Sequence, residues 1–448
     1  MKKTKPVWAV AAISGGAVLT TAGPALAASI DCTTLTNVVY VGGASSVQPV
    51  LVTFAKALGS SVSIIYGSST SCQGLADITV PQADTSTFSY VSPSGTLSTC
   101  SGAGGIAYGS INADIGFSDV YPSSCITPQI TLADGGGAIQ KDFHGAIQPM
   151  EIVVPYASSE SSISADAAYV VFGFAAQGTP TPYIVQPWND PTAIWTRGDT
   201  SGTQLMIAAA IGLSGGKWLS GLTGDAGAAQ IVSGSKMPTD VINGGATKPN
   251  STIGILASGV ADPDRGALST TDAGTTGGLK PLAFQATDQD CGYYPDSQLS
   301  TFDKINVRQG RYAIWGPVHL IVNVDGSGNP LATTLSNPVA SANASVATLV
   351  NAFTHGGLTA TTPLTLQAAI KAEAEANFVP DCAMQVSRTT EEGPEASYQP
   401  TGACGCYFES ITGGGTTLSS YCQECTTDPD CADAGVFTHC NYGYCEAQ

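Results

Sequence analysis

The sequence is poor in charged residues, and positive charge is especially scarce. Lys and Arg together number 16 among 448 residues, against 34 Asp and Glu, and the formal net charge is −18 at pH 7. Nucleic acids and anionic membranes are themselves negative, so this balance makes them poor partners of the chain, and we expect no nucleic-acid partner. The sequence also has only 4 histidines, and none stands in a recognisable catalytic motif.

Common signatures of enzymes and metal sites are also missing. The chain contains no G-x-S-x-G, H-E-x-x-H or P-loop pattern. Ser201, within Gly-Asp-Thr-Ser-Gly, leaves a secreted serine hydrolase as an alternative. His319 lies in an apolar run and is expected to be a hydrogen-bonded core residue. We therefore predict a protein that is not an enzyme and needs no cofactor or metal ion.

A long apolar stretch occurs only near the N-terminus. Lys2 and Lys3 precede a mostly apolar run over residues 7–19, and Ala25-Leu26-Ala27 provides the small residues of a cleavage site. These features predict a signal peptide over residues 1–27 and a periplasmic or extracellular protein. Later stretches are too short to cross a bilayer, so the mature chain is not expected to span a membrane.

Cysteine is abundant for an exported chain, and its count is odd. Seven of the 13 cysteines fall within residues 401–448, after a polar segment at 386–400 that is predicted to be a linker. In an exported protein this density predicts a small module held by disulfides, and the odd count leaves at least one thiol of the chain free or shared with another molecule. Zinc is the alternative, because Cys422 and Cys425 have metal-ligand spacing and His439 is near.

The body of the chain alternates strand-like and helix-like segments. Residues 38–41 form an apolar run that ends at Gly42-Gly43, and apolar residues then recur at helical spacing up to Leu58. The same reasoning predicts further strands at 61–66, 113–117, 150–156 and 318–324, and helices at 202–213, 341–355 and 366–378. Alternation of this kind predicts an α/β fold, with helices on both faces of a parallel or mixed sheet.

Small polar residues stand where predicted strands end and helices begin. In α/β sheets ligands bind at this edge, where helix N-termini offer unpaired N–H groups and a partial positive charge. The loops concerned are 44–46, 67–69, 118–119 and 200–203. Arg197 adds a guanidinium, whose fork of N–H donors matches an oxyanion. The pattern therefore predicts a small-anion site in an acidic protein.

Five motifs resemble, in order, those of periplasmic phosphate-binding proteins of phosphate ABC transporters. They are GGASSVQP at 42–49, YGSS at 66–69, ADIGFSD at 113–119, RGDTSGT at 197–203 and STIGILASG at 251–259. The resemblance covers roughly residues 36–380. It implies two α/β lobes joined by two crossover strands, near 152–155 and 315–321, with phosphate held in the cleft.

Carried over to this sequence, the resemblance implies a set of phosphate contacts on both lobes. The residues are Ser45, Ser46, Ser68, Asp119, Arg197, Asp199, Ser201, Gly202 and Thr203, with Asp199 orienting Arg197. Asp119 would accept a hydrogen bond from a protonated phosphate oxygen and repel a fully ionised sulfate. The structural alternatives are that Asp119 caps a helix and that the Gly-Ser pairs are plain turns.

Two features depart from the family pattern. Ser45 and Ser46 stand where the family often has Thr and an aromatic residue. The spacing between Ser69 and Asp119 is also unusually long, which predicts an insertion at about residues 70–112. We expect a Cys72–Cys100 disulfide to close this insertion beside the cleft.

The resemblance also implies boundaries and partners. Lobe I would comprise residues 28–152 and 316–385, lobe II residues 153–315, and the cysteine-rich tail residues 401–448. The implied ligand is inorganic phosphate or a related oxyanion, and the implied partner is an ABC transporter permease. The tail lies outside the resemblance, and we expect it to attach the protein to a cell-surface component. The alternative function is a surface or adhesion protein on the same fold, which works through its insertion and tail. Arg197-Gly198-Asp199 also spells a cell-adhesion tripeptide.

Overall fold

A mixed β-sheet forms the centre of the molecule. The computed structural model describes residues 29–78, 88–101, 112–125, 134–135, 138–174, 185–218, 230–266, 277–333, 341–413, 418–432, 435 and 437–447. The signal peptide predicted at residues 1–27 lies outside the described residues and stays a prediction. Within these ranges, none of the helices is both long enough and apolar enough to cross a membrane.

The elements have the following bounds. The strands are β1 (Ile30–Asp31), β2 (Val38–Ala44), β3 (Ser63–Ser69), β4 (Ser89–Val91), β5 (Leu97–Ser101), β6 (Ile115–Ser118), β7 (Asp134–Gly135), β8 (Ala138–Pro155), β9 (Ser162–Ser164), β10 (Trp195–Thr196), β11 (Gln230–Ile231), β12 (Gly254–Ala257), β13 (Leu279–Pro281), β14 (Ala283–Gln285), β15 (Trp315–Val324), β16 (Val386–Ser387), β17 (Ala396–Ser397), β18 (His439–Asn441) and β19 (Tyr444–Glu446). The helices are α1 (Gln48–Leu58), α2 (Ser71–Ala76), α3 (Ala165–Phe174), α4 (Gly202–Ala210), α5 (Met237–Gly245), α6 (Ser258–Ala261), α7 (Ile305–Arg308), α8 (Asn343–Thr354), α9 (Leu366–Glu375) and α10 (Gly405–Thr412).

The main sheet has the strand order β1-β5-β4-β3-β2-β6-β15-β8-β12. Strand β2 is parallel to both β3 and β6, and every residue of β2 is buried. Helices α1, α8 and α9 cover one face of this part of the sheet with a shared apolar core, which includes Phe54, Leu349 and Phe378. Helix α2 packs against the other face. The predicted α/β fold is thus confirmed.

Two long strands, β8 and β15, lie side by side in the main sheet. Strand β8 pairs with β15 over residues 139–149, and its later residues pair with β12 and β13. Both segments predicted to cross between lobes, 152–155 and 315–321, lie in these two strands. The predicted domain boundaries themselves stay a prediction.

The predicted insertion at 70–112 adds strands to the main sheet where the structure describes it. Strands β4 and β5 form an antiparallel hairpin that pairs with β3, and β1 then adds to β5. The expected Cys72–Cys100 disulfide is wrong. Cys100 bonds to Cys32, because β1 lies beside β5, and Cys72 bonds to Cys125.

The C-terminal cysteines form disulfides, which confirms the predicted disulfide-rich module. The bonds are Cys382–Cys404, Cys406–Cys422, Cys425–Cys440 and Cys431–Cys445. The sulfurs of Cys422 and Cys425, considered above as zinc ligands, are therefore not available to a metal. Cys291 is the unpaired cysteine and is exposed.

The tail and the segment before it pack against the body. Arg308 of α7 is buried and donates to Glu409 of α10 over 2.7 Å. Within the predicted linker, the guanidinium of Arg388 lies over the Trp315 ring at 4.2 Å, and Glu391 accepts the backbone N–H of Tyr121 at 2.6 Å. Residues 386–400 therefore form part of the folded surface of the body.

Candidate functional site

Three parallel strands end at the same edge of the sheet, and the candidate residues follow them. Ser68 lies near the end of β3, Ser45 and Ser46 begin a helical turn that leads into α1, and Asp119 comes directly after β6. Because β3, β2 and β6 are parallel neighbours, these loops meet at the carboxyl edge, where α/β sheets bind ligands.

Asp119 is buried, and hydroxyl groups surround its carboxylate. Ser46 Oγ donates to Asp119 Oδ1 over 2.5 Å, and Ser71 Oγ donates to Asp119 Oδ2 over 3.1 Å. The backbone N–H of Asp119 in turn donates to Ser71 Oγ over 3.2 Å. Each carboxylate oxygen has a second lone pair, so Asp119 retains the capacity to accept a further hydrogen bond.

Glycines explain why Ser71, at the start of α2, lies so near Asp119. A Cβ atom on Gly74 of α2 would lie 2.2 Å from the carbonyl oxygen of Phe117 and 2.7 Å from the Cα of Gly43. Helix α2 can approach β2 and β6 this closely only because these positions lack side chains. The Cys72–Cys125 disulfide then ties α2 to the segment that follows Asp119.

Arg197 follows the short strand β10 and is 7% exposed. Its Nη2 donates to Ser45 Oγ over 3.2 Å, which joins the loop after β10 to the loop after β2. Its backbone N–H donates to Gln204 Oε1 over 3.1 Å, and Gln204 Nε2 donates to the Gly215 carbonyl. Of the residues that the structure describes, no carboxylate oxygen lies within 4.0 Å of the Arg197 guanidinium.

The loop between Arg197 and α4 docks on the start of α2. The N–H of Gly202 donates to Ser71 Oγ over 3.1 Å, and the N–H of Cys72 donates to the Thr200 carbonyl over 3.2 Å. A Cβ atom on Gly202 would stand 2.3 Å from Ser71 Oγ and 2.7 Å from Asp119 Cβ. Glycine is therefore required where this loop meets Asp119.

Burial controls the electrostatics of the two charged groups. It raises the pKa of Asp119 above its usual value, although hydrogen bonds from Ser46 and Ser71 and the charge of Arg197 act in the opposite direction. Burial lowers the pKa of Arg197, and the charges of Asp119 and Tyr66 partly compensate. The site is thus a buried region with one cation, one acid and several neutral dipoles.

The start of α4 adds N–H donors to this region. Ser201 precedes the helix and is 3% exposed, and Thr203 in its first turn is 1% exposed. The first N–H groups of an α-helix have no partner within the helix and carry a partial positive charge. The N–H of Gly202 already donates to Ser71 Oγ, so the N–H groups of Thr203 and Gln204 are the ones that suit an anion from the β2 and β6 side.

The structure brings most of the predicted residues together, but not all in the expected manner. Ser45, Ser46, Asp119, Arg197 and Gly202 are joined directly or through Ser71. Ser68 is exposed at the rim, where its side chain interacts with the hydroxyl of Tyr66. Asp199 is exposed and forms no ion pair with Arg197 in the described part of the chain.

Three contributors were not recognised in the sequence. Ser71 links three backbone and side-chain groups of the site, and Gln204 holds the backbone of Arg197. A Cβ atom on Gly234 would lie 2.6 Å from Arg197 Nη1 and 3.2 Å from Ser45 Oγ. Gln204 lies seven residues after Arg197, in the first turn of the helix that follows the Arg197 loop. This short spacing is the sequence signal that could have identified Gln204. The roles of all these residues in ligand binding stay predictions.

No protein-family model and no curated protein sequence matches this chain. Among solved structures, it is similar to a phosphate ABC transporter substrate-binding protein with bound phosphate from Clostridium perfringens, with 14% identity over 77% of this chain and 99% of that one and a TM-score of 0.43. An ABC-type phosphate transport receptor from Vibrio cholerae has 14% identity over 76% of this chain and 99% of its own, with a TM-score of 0.40. A DING protein has 15% identity over 76% of this chain and 90% of its own, with a TM-score of 0.43.

Proposed function

We propose that this chain is an exported solute-binding protein that captures inorganic phosphate, or a similar small oxyanion, between the loops at 45–46, 119 and 197–203. The observation that carries the proposal is the state of Arg197. Its side chain is buried and, among the described residues, has no ion-pair partner. A buried charge without a close ion-pair partner costs roughly several kcal/mol, and the charge of Asp119 compensates only part of this cost. A bound anion is therefore the expected partner of this guanidinium.

Phosphate suits the site better than other common oxyanions. Near neutral pH, phosphate retains a proton that it can donate to Asp119, while its other oxygens accept from Arg197, the serine hydroxyls and the N–H groups of α4. Sulfate has no such proton, so its oxygens would face the Asp119 carboxylate without a hydrogen bond. Asp119 therefore acts as the selectivity residue and Arg197 as the main source of affinity.

Delivery of the anion to an ABC transporter permease is the use that the sequence resemblance implies. Ser45, Ser46 and Asp119 precede β8 in the chain, whereas the loop at 197–203 lies between β8 and β15. A hinge motion of one of these two parts relative to the other would open and close the site, as in many binding proteins. This reading also supports a periplasmic or extracellular location, as do the disulfides.

Calorimetric titration of the full chain with phosphate and with sulfate tests this function. We expect phosphate to bind with 1:1 stoichiometry and sulfate much more weakly. In Arg197→Met the phosphate affinity should fall by about 2–5 kcal/mol, whereas Arg311→Met, which removes an exposed arginine, should leave it unchanged. Equal affinities for the two anions, or equal effects of the two variants, would refute the proposal.

A further inference from the structure

Two histidines and an aspartate lie together on the main sheet, next to strand β6, which ends one residue before Asp119. Asp142 and His144 alternate along β8, so their side chains point to the same face of the sheet. His319 of β15 is the direct cross-strand partner of His144. The three side chains therefore share one face on two hydrogen-bonded strands, which is a rigid arrangement.

The distances between these side chains match those between ligands of one metal ion. Asp142 Oδ2 lies 2.9 Å from His319 Nδ1 and 3.6 Å from His144 Nε2, and one ligand atom from each residue lies within 4.8 Å of the others. Around a tetrahedral Zn²⁺ with bonds of about 2.0–2.1 Å, neighbouring ligand atoms are about 3.3 Å apart. Asp142 and His319 now share a hydrogen bond, so a bound ion would replace its proton and separate these two atoms by about 0.4 Å more. A small rotation of His144, which is exposed, would bring its ring nitrogen to the same spacing.

We propose that Asp142, His144 and His319 form a binding site for a divalent transition metal ion such as Zn²⁺. Two imidazoles and one carboxylate favour Zn²⁺, Co²⁺ or Ni²⁺ over Mg²⁺ or Ca²⁺, which prefer oxygen ligands alone. Each imidazole must coordinate in its neutral form, so the affinity rises with pH. Because the protein supplies three ligands, at least one coordination position stays open.

The surroundings favour a functional site over a simple Asp–His pair. The ring of Tyr121 contacts the rings of both histidines, with centroids 4.3 Å from His319 and 5.7 Å from His144, and thereby fixes the His319 ring. His144 also lines a cavity of about 470 Å³, which Arg388 and Tyr398 line as well. Of the three residues, His144 is the one that lines this cavity, so the cavity gives solvent a route to the His144 ring.

Titration of the full chain, with its disulfides intact, with Zn²⁺ and with Co²⁺ tests the proposal. We expect one ion per chain and, for Co²⁺, the intense visible absorption of a low-coordinate complex. His144→Ala and Asp142→Asn should each weaken Zn²⁺ binding by at least about tenfold, since even outer-shell losses reach that size. Both residues lie at the surface or near it, so folding of the variants, followed by circular dichroism, should be retained.

His439→Ala is the matched control, because His439 also lies 3.6 Å from a carboxylate, that of Asp428, but without a second histidine. This variant should bind Zn²⁺ as tightly as the parent chain. Absence of a 1:1 complex in the parent chain overturns the proposal. It is equally overturned if the affinity of His144→Ala and Asp142→Asn stays within threefold of the parent, or if His439→Ala weakens binding as much as they do.

Discussion

The hydroxyl of Ser71 donates to Asp119 Oδ2 over 3.1 Å, and its oxygen also accepts the backbone N–H of Asp119 over 3.2 Å. The same oxygen accepts the N–H of Gly202 from the Arg197 loop. One serine thus connects the helix after β3, the loop after β6 and the start of α4. It holds together two groups of candidate ligands, Asp119 and the loop at 197–203, that lie far apart in the sequence.

Replacement of Ser71 should therefore lower both the phosphate affinity and the stability, although the serine side chain is small. In Ser71→Ala two buried N–H groups lose their acceptor, which costs about 1–3 kcal/mol. We expect phosphate affinity to fall roughly tenfold and the melting temperature to fall with it, as measured by calorimetry. Ser69→Ala is the control, because the Ser69 hydroxyl makes only a long contact of 3.5 Å with the Thr70 carbonyl. Similar affinities for the two variants would contradict the role of Ser71.

Asp119→Asn should reduce selectivity more than it reduces binding of anions in general. The amide removes the negative charge that repels sulfate, and its NH₂ group donates where the carboxylate accepted. Phosphate affinity should fall by about 1.5–3 kcal/mol while sulfate affinity rises, so that the ratio of the two approaches one. Asp199→Asn should leave both affinities unchanged, since Asp199 is exposed and does not pair with Arg197. A variant Asp119→Asn that keeps the parent ratio would show that selection lies elsewhere.

Loss of the Cys72–Cys125 disulfide should lower both stability and affinity. The bond closes a loop with a sequence separation of 53, for which chain entropy predicts a stabilisation of about 4 kcal/mol. It also holds α2, and so Ser71, against the segment after Asp119. We expect Cys72→Ser/Cys125→Ser to unfold at lower urea concentration and to bind phosphate less tightly. Cys425→Ser/Cys440→Ser, in the tail, should lose stability but keep the affinity of the parent chain.

Stability should depend on pH through a buried cluster of ions. Arg265 pairs with Glu151, Asp262 and Asp296, and Lys304 pairs with the two aspartates, so three acids face two bases. Burial, and then the charge of Asp262, raises the pKa of Glu151 to about 8. Its value in the unfolded chain is near 4.5. At a pH between these two values, Glu151 therefore keeps its proton in the native state and has lost it in the unfolded chain.

The sign of the effect follows from this proton. The contribution of protonated Glu151 to the free energy of unfolding is complete below about pH 4.5 and is lost as the pH rises through about 8. Urea unfolding of the parent chain should thus shift to lower urea concentration between pH 6 and pH 9, whereas Glu151→Gln should show a smaller shift. The exposed Glu424→Gln should retain the full shift. A parent chain whose stability is flat over this range would exclude a protonated Glu151.

Sequence reasoning located the elements of this fold better than their mutual contacts. Strand β2 and helix α1 were predictable because an apolar run, two glycines and a helical apolar pattern follow one another. Ser71 was missed because its proximity to Asp119 depends on the strand order and on the close packing at Gly74. The partner of Cys72 was wrong for the same reason, since the β4–β5 hairpin takes Cys100 away to β1. Local pattern determines an element, whereas a partner depends on the topology of the whole sheet.

The two-residue strand β1 occupies one edge of the main sheet, and the Cys32–Cys100 bond attaches it to β5. An exposed edge strand is a template on which other chains can aggregate, and a very short edge offers them few backbone groups. The covalent attachment keeps this cover in place even when the hydrogen bonds of β1 break. In a reducing environment this cover over Cys100 and Ser101 would be lost more easily, and the backbone groups of β5 exposed there would favour edge-to-edge association with other chains.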